Sequence, residues 1–178
     1  MPQSLDYVRS CIRNVPNFPK PGIVFRDITP VLADAVAFDT ALDHYESACR
    51  TLSPTKVVGI ESRGFIFGAP VANRLRLPFI PVRKPGKLPW TTVHESYDLE
   101  YGSDAVHMHS DVISPGDKIV VVDDLIATGG TMLATCRLVE KMGGQVVGIV
   151  ALIDLAFLPW RTKLTGYNVR ALISYDTE

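Results

Sequence analysis

The sequence predicts an α/β protein built on a doubly wound, mainly parallel sheet flanked by helices. Apolar runs at residues 56–60, 119–122 and 146–153 lack the alternation of a half-solvated strand. Each therefore reads as a strand buried on both faces, as parallel sheets require. Stretches of helical spacing stand between them, the order that βαβ units produce. With 178 residues, 47% hydrophobic and 21% charged, the chain suits one domain around one sizeable core.

Taken in order, Ser4 to Arg13 places Leu5, Val8 and Ile12 on one face of a short helix, with Ser4 at its N-cap. Two prolines and a glycine between Asn17 and Gly22 stop it. A second helix fits Ala35 to Leu52, with Phe38, Leu42, Tyr45 and Cys49 on one side. Lys56 to Ile60 reads as a buried strand, Phe65 to Leu75 as the crossover helix, and Phe79 to Val82 as a strand whose Pro81 favours an edge or an end. Between Lys84 and Gly102 periodicity weakens. A connection this long inside a domain is usually a lid or binding loop, with Thr91 to Leu99 able to form a loose hairpin arm. Ala105 to His109 follows as a strand, then a turn at Ser114 to Asp117. A strand starting at Lys118 leads to a helix over Thr131 to Met142, closed by Gly143 and Gly144. Val146 to Ile153 and Asn168 to Ser174 are the final strands.

Net charge is −1, which removes the basic excess that nonspecific nucleic-acid binding needs. The three cysteines, Cys11, Cys49 and Cys136, are odd in number and lack metal-ligand spacing, so they read as buried thiols in a reducing compartment. No run of 18 apolar residues and no basic-then-apolar leader occur, and a cytoplasmic, membrane-free protein is expected.

The richest segment is the strand ending in Ile119 to Val122. It runs into Asp123 and Asp124, then Leu125, Ile126 and a Gly/Thr turn from Ala127 to Thr131 that opens a helix. Open α/β sheets bind ligands at strand C-termini. Thr128, Gly129, Gly130 and Thr131 offer N–H groups and hydroxyls at a helix N-terminus, which suits a phosphate dianion. The two acids would repel that phosphate but accept from sugar hydroxyls, so a phosphorylated ribose is the ligand they point to. No Gly-Lys-Ser/Thr follows, and the glycine spacing is not that of a dinucleotide fingerprint. Four other segments carry unusual residues. Ser62, Arg63 and Gly64 follow a strand, and a guanidinium binds diphosphate oxygens bidentately, though Arg63 could equally pair with Glu61. Arg83, Lys84 and Lys87 gather three cations, either as a solvated basic loop or as a cradle for a charged leaving group. Tyr97 to Gly102 brings Glu100 onto the arm as a candidate proton donor or acceptor. Pro21 to Asp27 offers the face of Phe25 to a flat heteroaromatic base; the plainer alternative is a core Phe beside a surface Arg26.

Together these five motifs resemble, in order and spacing from about Phe18 onward, the adenine phosphoribosyltransferases among the type I phosphoribosyltransferases. Pro89 and Trp90 in the lid and the C-terminal tail are less typical of that pattern. The resemblance implies the type I phosphoribosyltransferase fold, with an N-terminal base-binding hood over residues 1–33 and a flexible lid over 84–102. It implies transfer of the phosphoribosyl group of phosphoribosyl diphosphate (PRPP) to N9 of adenine, giving AMP and diphosphate. By that likeness Ala127, Thr128, Gly129, Gly130 and Thr131 hold the 5′-phosphate, and Asp123 and Asp124 the ribose hydroxyls. Ser62, Arg63, Arg83, Lys84, Lys87 and Tyr101 face the diphosphate. Adenine lies between Phe25 and Leu125, read by the backbone of Val24 and Arg26. Mg²⁺ is held mainly by PRPP, with Asp123 and Asp124 as further contacts. Relatives of this kind are commonly homodimers. The choice of adenine over hypoxanthine, guanine, xanthine or orotate rests on the likeness of residues 24–26.

The same likeness makes Glu100 the candidate catalytic residue, hydrogen-bonding purine N7 while N9 attacks. Glu100→Gln or Glu100→Ala is expected to lower kcat by about 10²-fold or more. An unchanged kcat at saturating substrates would remove Glu100 from the chemistry.

Overall fold

The computed structural model describes residues 4–98 and 102–178. The chain opens with α1 (Leu5–Cys11), the antiparallel strands β1 (Arg13–Pro16) and β2 (Val24–Asp27), and α2 (Thr29–Ala33). Helix α3 (Ala35–Arg50), β3 (Lys56–Ile60), α4 (Gly64–Leu75) and β4 (Phe79–Val82) form the first part of the main sheet. Next comes a hairpin of β5 (Thr92–Asp98) and β6 (Ser103–His109), paired residue by residue with Tyr97 opposite Asp104. The chain closes with β7 (Lys118–Ile126), α5 (Gly130–Lys141), β8 (Gln145–Leu155), α6 (Trp160–Lys163) and β9 (Val169–Tyr175).

The five-stranded sheet has the order β4-β3-β7-β8-β9, and every pairing in it is parallel. Strand β7 is central, which explains its unalternated run: Ile119, Val120, Val121 and Val122 are all fully buried. Successive side chains point to opposite faces. Val120 and Val122 pack under α1, α3 and α4, whereas Ile119 and Val121 pack under α5 and the hairpin. Burying both faces of such a strand is what the parallel architecture supplies.

The expected helices and strands are present within a residue or two, and Pro81 does lie on the edge strand β4. Four elements are additional to those expected: β1, β2, α2 and α6. Each has only four or five residues, too few for periodicity to register. The arm is more regular than a loose hairpin, with seven paired positions. Ser4 occupies the N-cap of α1 without a side-chain bond. Helix α3 does have a side-chain cap: Asp34 Oδ1 accepts from the N–H groups of Val36 and Ala37 at 2.9 Å, while Tyr7 of α1 donates to Oδ2 at 2.6 Å. Cys49 and Cys136 are buried as expected; Cys11 is only half-buried, and all three thiols are free.

Close helix-to-sheet packing at the edge depends on two missing side chains. A Cβ on Gly59 would stand 2.6 Å from the ring of Phe79, and one on Gly68 2.9 Å from it. Strand β3 and helix α4 thus meet at one edge of that ring, with a Cβ on Gly68 only 3.4 Å from the Cα of Gly59. Overpacking of this sort typically costs 1–3 kcal/mol. Gly59→Ala is therefore expected to destabilise the protein by about that amount, read from the urea midpoint, and Gly59→Ala/Phe79→Leu to recover part of the loss.

Candidate active site

At the C-terminal end of the sheet, β7 leaves the core and its side chains become polar. Asp124 is 4% exposed and Asp123 half-buried. Their positions are fixed by neighbours from three elements. Tyr45 of α3, itself fully buried against Phe67, donates its hydroxyl to the Asp123 carbonyl at 2.7 Å. The Asp124 N–H donates to Asp123 Oδ1 at 2.9 Å. Helix α4 begins at Gly64, where a Cβ would meet Asp123 Oδ1 at 2.7 Å; only glycine lets the helix start this close. That approach sets Arg63 beside the acids, with its Nε 2.9 Å from Asp124 Oδ2. The two groups are close but not aligned, and Oδ2 accepts no hydrogen bond despite being buried.

Burial drives both aspartates above the ordinary carboxylate range. For Asp123 the charge of Asp124 adds to the effect, whereas for Asp124 the Arg63 guanidinium opposes it. Beyond Ile126 the chain turns through Ala127 and Thr128 to Gly129, whose φ of +77° is a left-handed conformation that glycine adopts without strain. Helix α5 starts at the next residue, so the turn's N–H groups lie at a helix N-terminus. Behind the turn, the buried side chains of Trp160 and Leu164 come within 3.2 and 3.6 Å of a Cβ placed on Gly129. The turn is thus backed by α6 and its flanking residue.

One cleft of about 340 Å³ unites most of the residues that the sequence singled out. Ser62, Arg63, Lys84, Asp123, Asp124, Leu125 and all of Ala127, Thr128, Gly129, Gly130 and Thr131 line it. Five others lie off its walls. Arg83 forks onto Glu61, with Nε to Oε2 at 3.2 Å and Nη2 to Oε1 at 3.0 Å. Lys87 is exposed, and its carbonyl accepts from Arg83 Nη1 at 3.1 Å. Val24 and Phe25 are half-buried on β2, and Phe25 connects to the cleft through Arg63, whose guanidinium carbon stands 5.2 Å above its ring. Arg26 is not the surface residue of the plainer reading: it is 6% exposed. Its Nη1 donates to Asn14 Oδ1 at 2.5 Å, its Nη2 to the Thr177 carbonyl at 3.1 Å, and its head lies 4.1 Å over Tyr175. Glu100 and Tyr101 lie outside the described residues.

The pairing of Arg63 with Glu61, the alternative left open by the sequence, does not occur; Glu61 serves Arg83 and also accepts from the Lys84 N–H at 2.9 Å. The Arg83 hydrogen bond chiefly, then Lys84's, holds the Glu61 carboxyl below the usual range against its partial burial. Sequence reading missed this organiser, along with Tyr45, Tyr97, Asp104 and Trp160. The two strand ends at Glu61 and Arg83 were visible; their adjacency follows only from the parallel pairing of β3 with β4.

Because burial raises both acids, their contribution to folding is complete below the unfolded carboxylate pKa of about 3.9 and is lost as pH rises through the folded values. Asp123→Asn keeps the acceptor for the Asp124 N–H while removing a buried charge. Ligand-free Asp123→Asn is therefore expected to melt at a higher Tm than the parent protein near pH 8, with the gain shrinking near pH 4. A lower Tm at the alkaline end would contradict the assignment of charge.

The phosphoribosyl transferase domain family matches residues 34–157 of the chain. The adenine phosphoribosyltransferase of Desulfitobacterium hafniense is 54% identical over 164 residues, covering 92% of this chain and 95% of that protein. The crystal structure of adenine phosphoribosyltransferase from Thermoanaerobacter pseudethanolicus superposes with a TM-score of 0.94 at 47% identity, covering 97% and 100% of the two chains. The Saccharomyces cerevisiae enzyme, crystallised with an imino-altritol bisphosphate and adenine, has a TM-score of 0.89 at 36% identity, covering 94% and 97%.

Proposed function

The chain belongs to the phosphoribosyl transferase family and to its adenine phosphoribosyltransferases, and we propose that its activity is theirs. It transfers the 5-phosphoribosyl group of PRPP to N9 of adenine, yielding AMP and diphosphate in purine salvage. The single observation that carries this is one cleft holding two adjacent acids, one buried and one half-buried, beside a Gly/Thr turn at a helix N-terminus.

In this reading the N–H groups and hydroxyls from Ala127 to Thr131 receive the 5′-phosphate, and Asp123 and Asp124 accept from the ribose hydroxyls. Ser62, Arg63 and Lys84 line the same cleft and are assigned to the diphosphate; Arg83, Lys87 and Tyr101 complete that set. Adenine rests between Phe25 and Leu125, with the backbone of Val24 and Arg26 reading its edge. Among the described residues β2 pairs with β1 alone, so alternate backbone groups on its other edge remain for such reading. The burial of Arg26 supports the use of its main chain rather than its head group.

Breaking the C1′–O bond leaves positive charge on the ribose ring and negative charge on diphosphate, while N9 of adenine forms the new bond and gives up its proton. Cations placed along the diphosphate stabilise that separation more in the transition state than in the ground state. Residues 84–102 form the lid that excludes water as a competing nucleophile. Glu100 is assigned to hydrogen-bond N7 during attack. Mg²⁺ neutralises phosphoryl oxygens when bound with PRPP. The buried Asp124 Oδ2, which accepts no hydrogen bond, is a hard oxygen suited to that ion or to a water it carries. No group of three or more His, Cys, Asp or Glu side chains converges for a metal among the described residues, so the ion would enter as the PRPP complex. The protein is proposed to act as a cytoplasmic homodimer; among the described residues no helix is long and apolar enough to cross a membrane.

Mixing the purified protein with PRPP, Mg²⁺ and adenine is expected to release AMP and diphosphate in equal amounts, and chelation of Mg²⁺ to abolish release. Guanine, hypoxanthine and orotate are expected to be poor substrates in the same assay. Activity with guanine but not with adenine would refute the base assignment.

A further inference from the structure

The arm and the cleft share one cluster of polar side chains. Tyr97 of β5 and Asp104 of β6 are cross-strand partners and so project from the same face of the hairpin. Further back on that face Val93, Val106 and Met108 pack into the core, and Glu95, opposite Val106, pairs with Lys141 Nζ at 3.5 Å. The cleft end of the face carries Tyr97 and Asp104. There Lys84 Nζ donates to Tyr97 Oη at 2.6 Å and pairs with Asp104 Oδ2 at 2.5 Å. Tyr97 donates to Asp104 Oδ2 at 3.0 Å and accepts from Thr131 Oγ1 at 3.0 Å. Its ring lies along Gly130, where a Cβ would meet it at 3.3 Å.

Lys84 and Thr131 are two of the donors lining the cleft. In this arrangement both donate to the protein itself: a phenol oxygen and a carboxylate receive what phosphoryl oxygens of a ligand would receive. The geometry points to Tyr97 and Asp104 as affinity-setting residues that stand in for the substrate's anionic oxygens and must release Thr131 and Lys84 as PRPP binds. This rests on the cleft being the PRPP site. A donor occupied internally is unavailable for part of the time, and apparent affinity falls by that fraction. The Lys84 hydrogen bond foremost keeps the Asp104 carboxyl below its ordinary range against partial burial, so the stand-in stays charged at neutral pH. The competition has a sign that a supporting role lacks. If Asp104 merely positioned Lys84 for catalysis, removing its charge would weaken PRPP binding; if it competes, removal tightens it.

The test is calorimetric titration of the full-length protein with Mg–PRPP and, separately, with AMP, each variant first checked by thermal melting. Asp104→Asn is expected to tighten PRPP about two- to fivefold, the scale of a partly exposed ion pair, with little effect on AMP, which lacks the diphosphate. Tyr97→Phe frees Thr131 and is expected to tighten both ligands, since both carry the 5′-phosphate; it also serves as the independent arm should Asp104→Asn fold poorly. Lys84→Ala is expected to weaken PRPP and spare AMP. Weaker or unchanged PRPP binding in Asp104→Asn and in Tyr97→Phe, with Lys84→Ala still impaired, overturns the competition while leaving the site assignment intact. Unchanged PRPP binding in Lys84→Ala overturns both.

Discussion

Two adjacent carboxylates at the end of the central strand set the conditions for everything around them. Burying like charges side by side is costly, because each loses water and repels the other in a low-dielectric surround. The surroundings of Asp123 and Asp124 are built to offset that cost without neutralising the pair. Arg63 brings a positive head to Asp124, and the Asp124 N–H satisfies one oxygen of Asp123. Tyr45 ties the backbone of the pair to α3. The absence of a side chain at Gly64 lets α4 begin against the acids, and this is what delivers Arg63. An acid pair left partly uncompensated is a poor element of stability and a good acceptor for hydroxyl donors, the trade expected where binding takes precedence over folding.

The same strand then changes electrostatic sign within a few residues. Past Ile126 the chain presents N–H groups at the start of α5, favourable to anions, immediately after acids that repel them. A ligand that is a hydroxylated sugar at one end and a phosphate at the other matches both halves. The rigid backing of Trp160 and Leu164 behind Gly129 keeps the turn in place. On the open side, Lys84 borders the cleft and donates to Tyr97 of the arm, which also accepts from Thr131 of α5, so the arm is tied to two residues that line one ligand-sized space.

Much of this was legible in the amino-acid sequence, for identifiable reasons. The run from Ile119 to Val122 has no alternation because its strand has neighbours on both sides and helices on both faces. The acids and the Gly/Thr turn are contiguous, so their placement together in space needs no tertiary knowledge. What was not legible depends on pairing across distance. Glu61 gathering Arg83 requires that β3 and β4 be neighbours, and Tyr97 meeting Asp104 requires the register of a hairpin whose turn carries no strong signal. Arg26 illustrates the limit from the other side. Its type predicts exposure, yet the C-terminal strand supplies the Tyr175 ring, and the residues after it the Thr177 carbonyl, that bury it. Tyr45 resembles any core aromatic in its helix, and only the fold reveals that its hydroxyl reaches the acids.

The most direct measurement is a crystal structure of the protein with AMP bound. The account requires the 5′-phosphate on the N–H groups of Ala127 to Thr131 and the ribose hydroxyls on the carboxylates of Asp123 and Asp124. A nucleotide bound elsewhere, or bound in the cleft with its phosphate away from that turn, would contradict it.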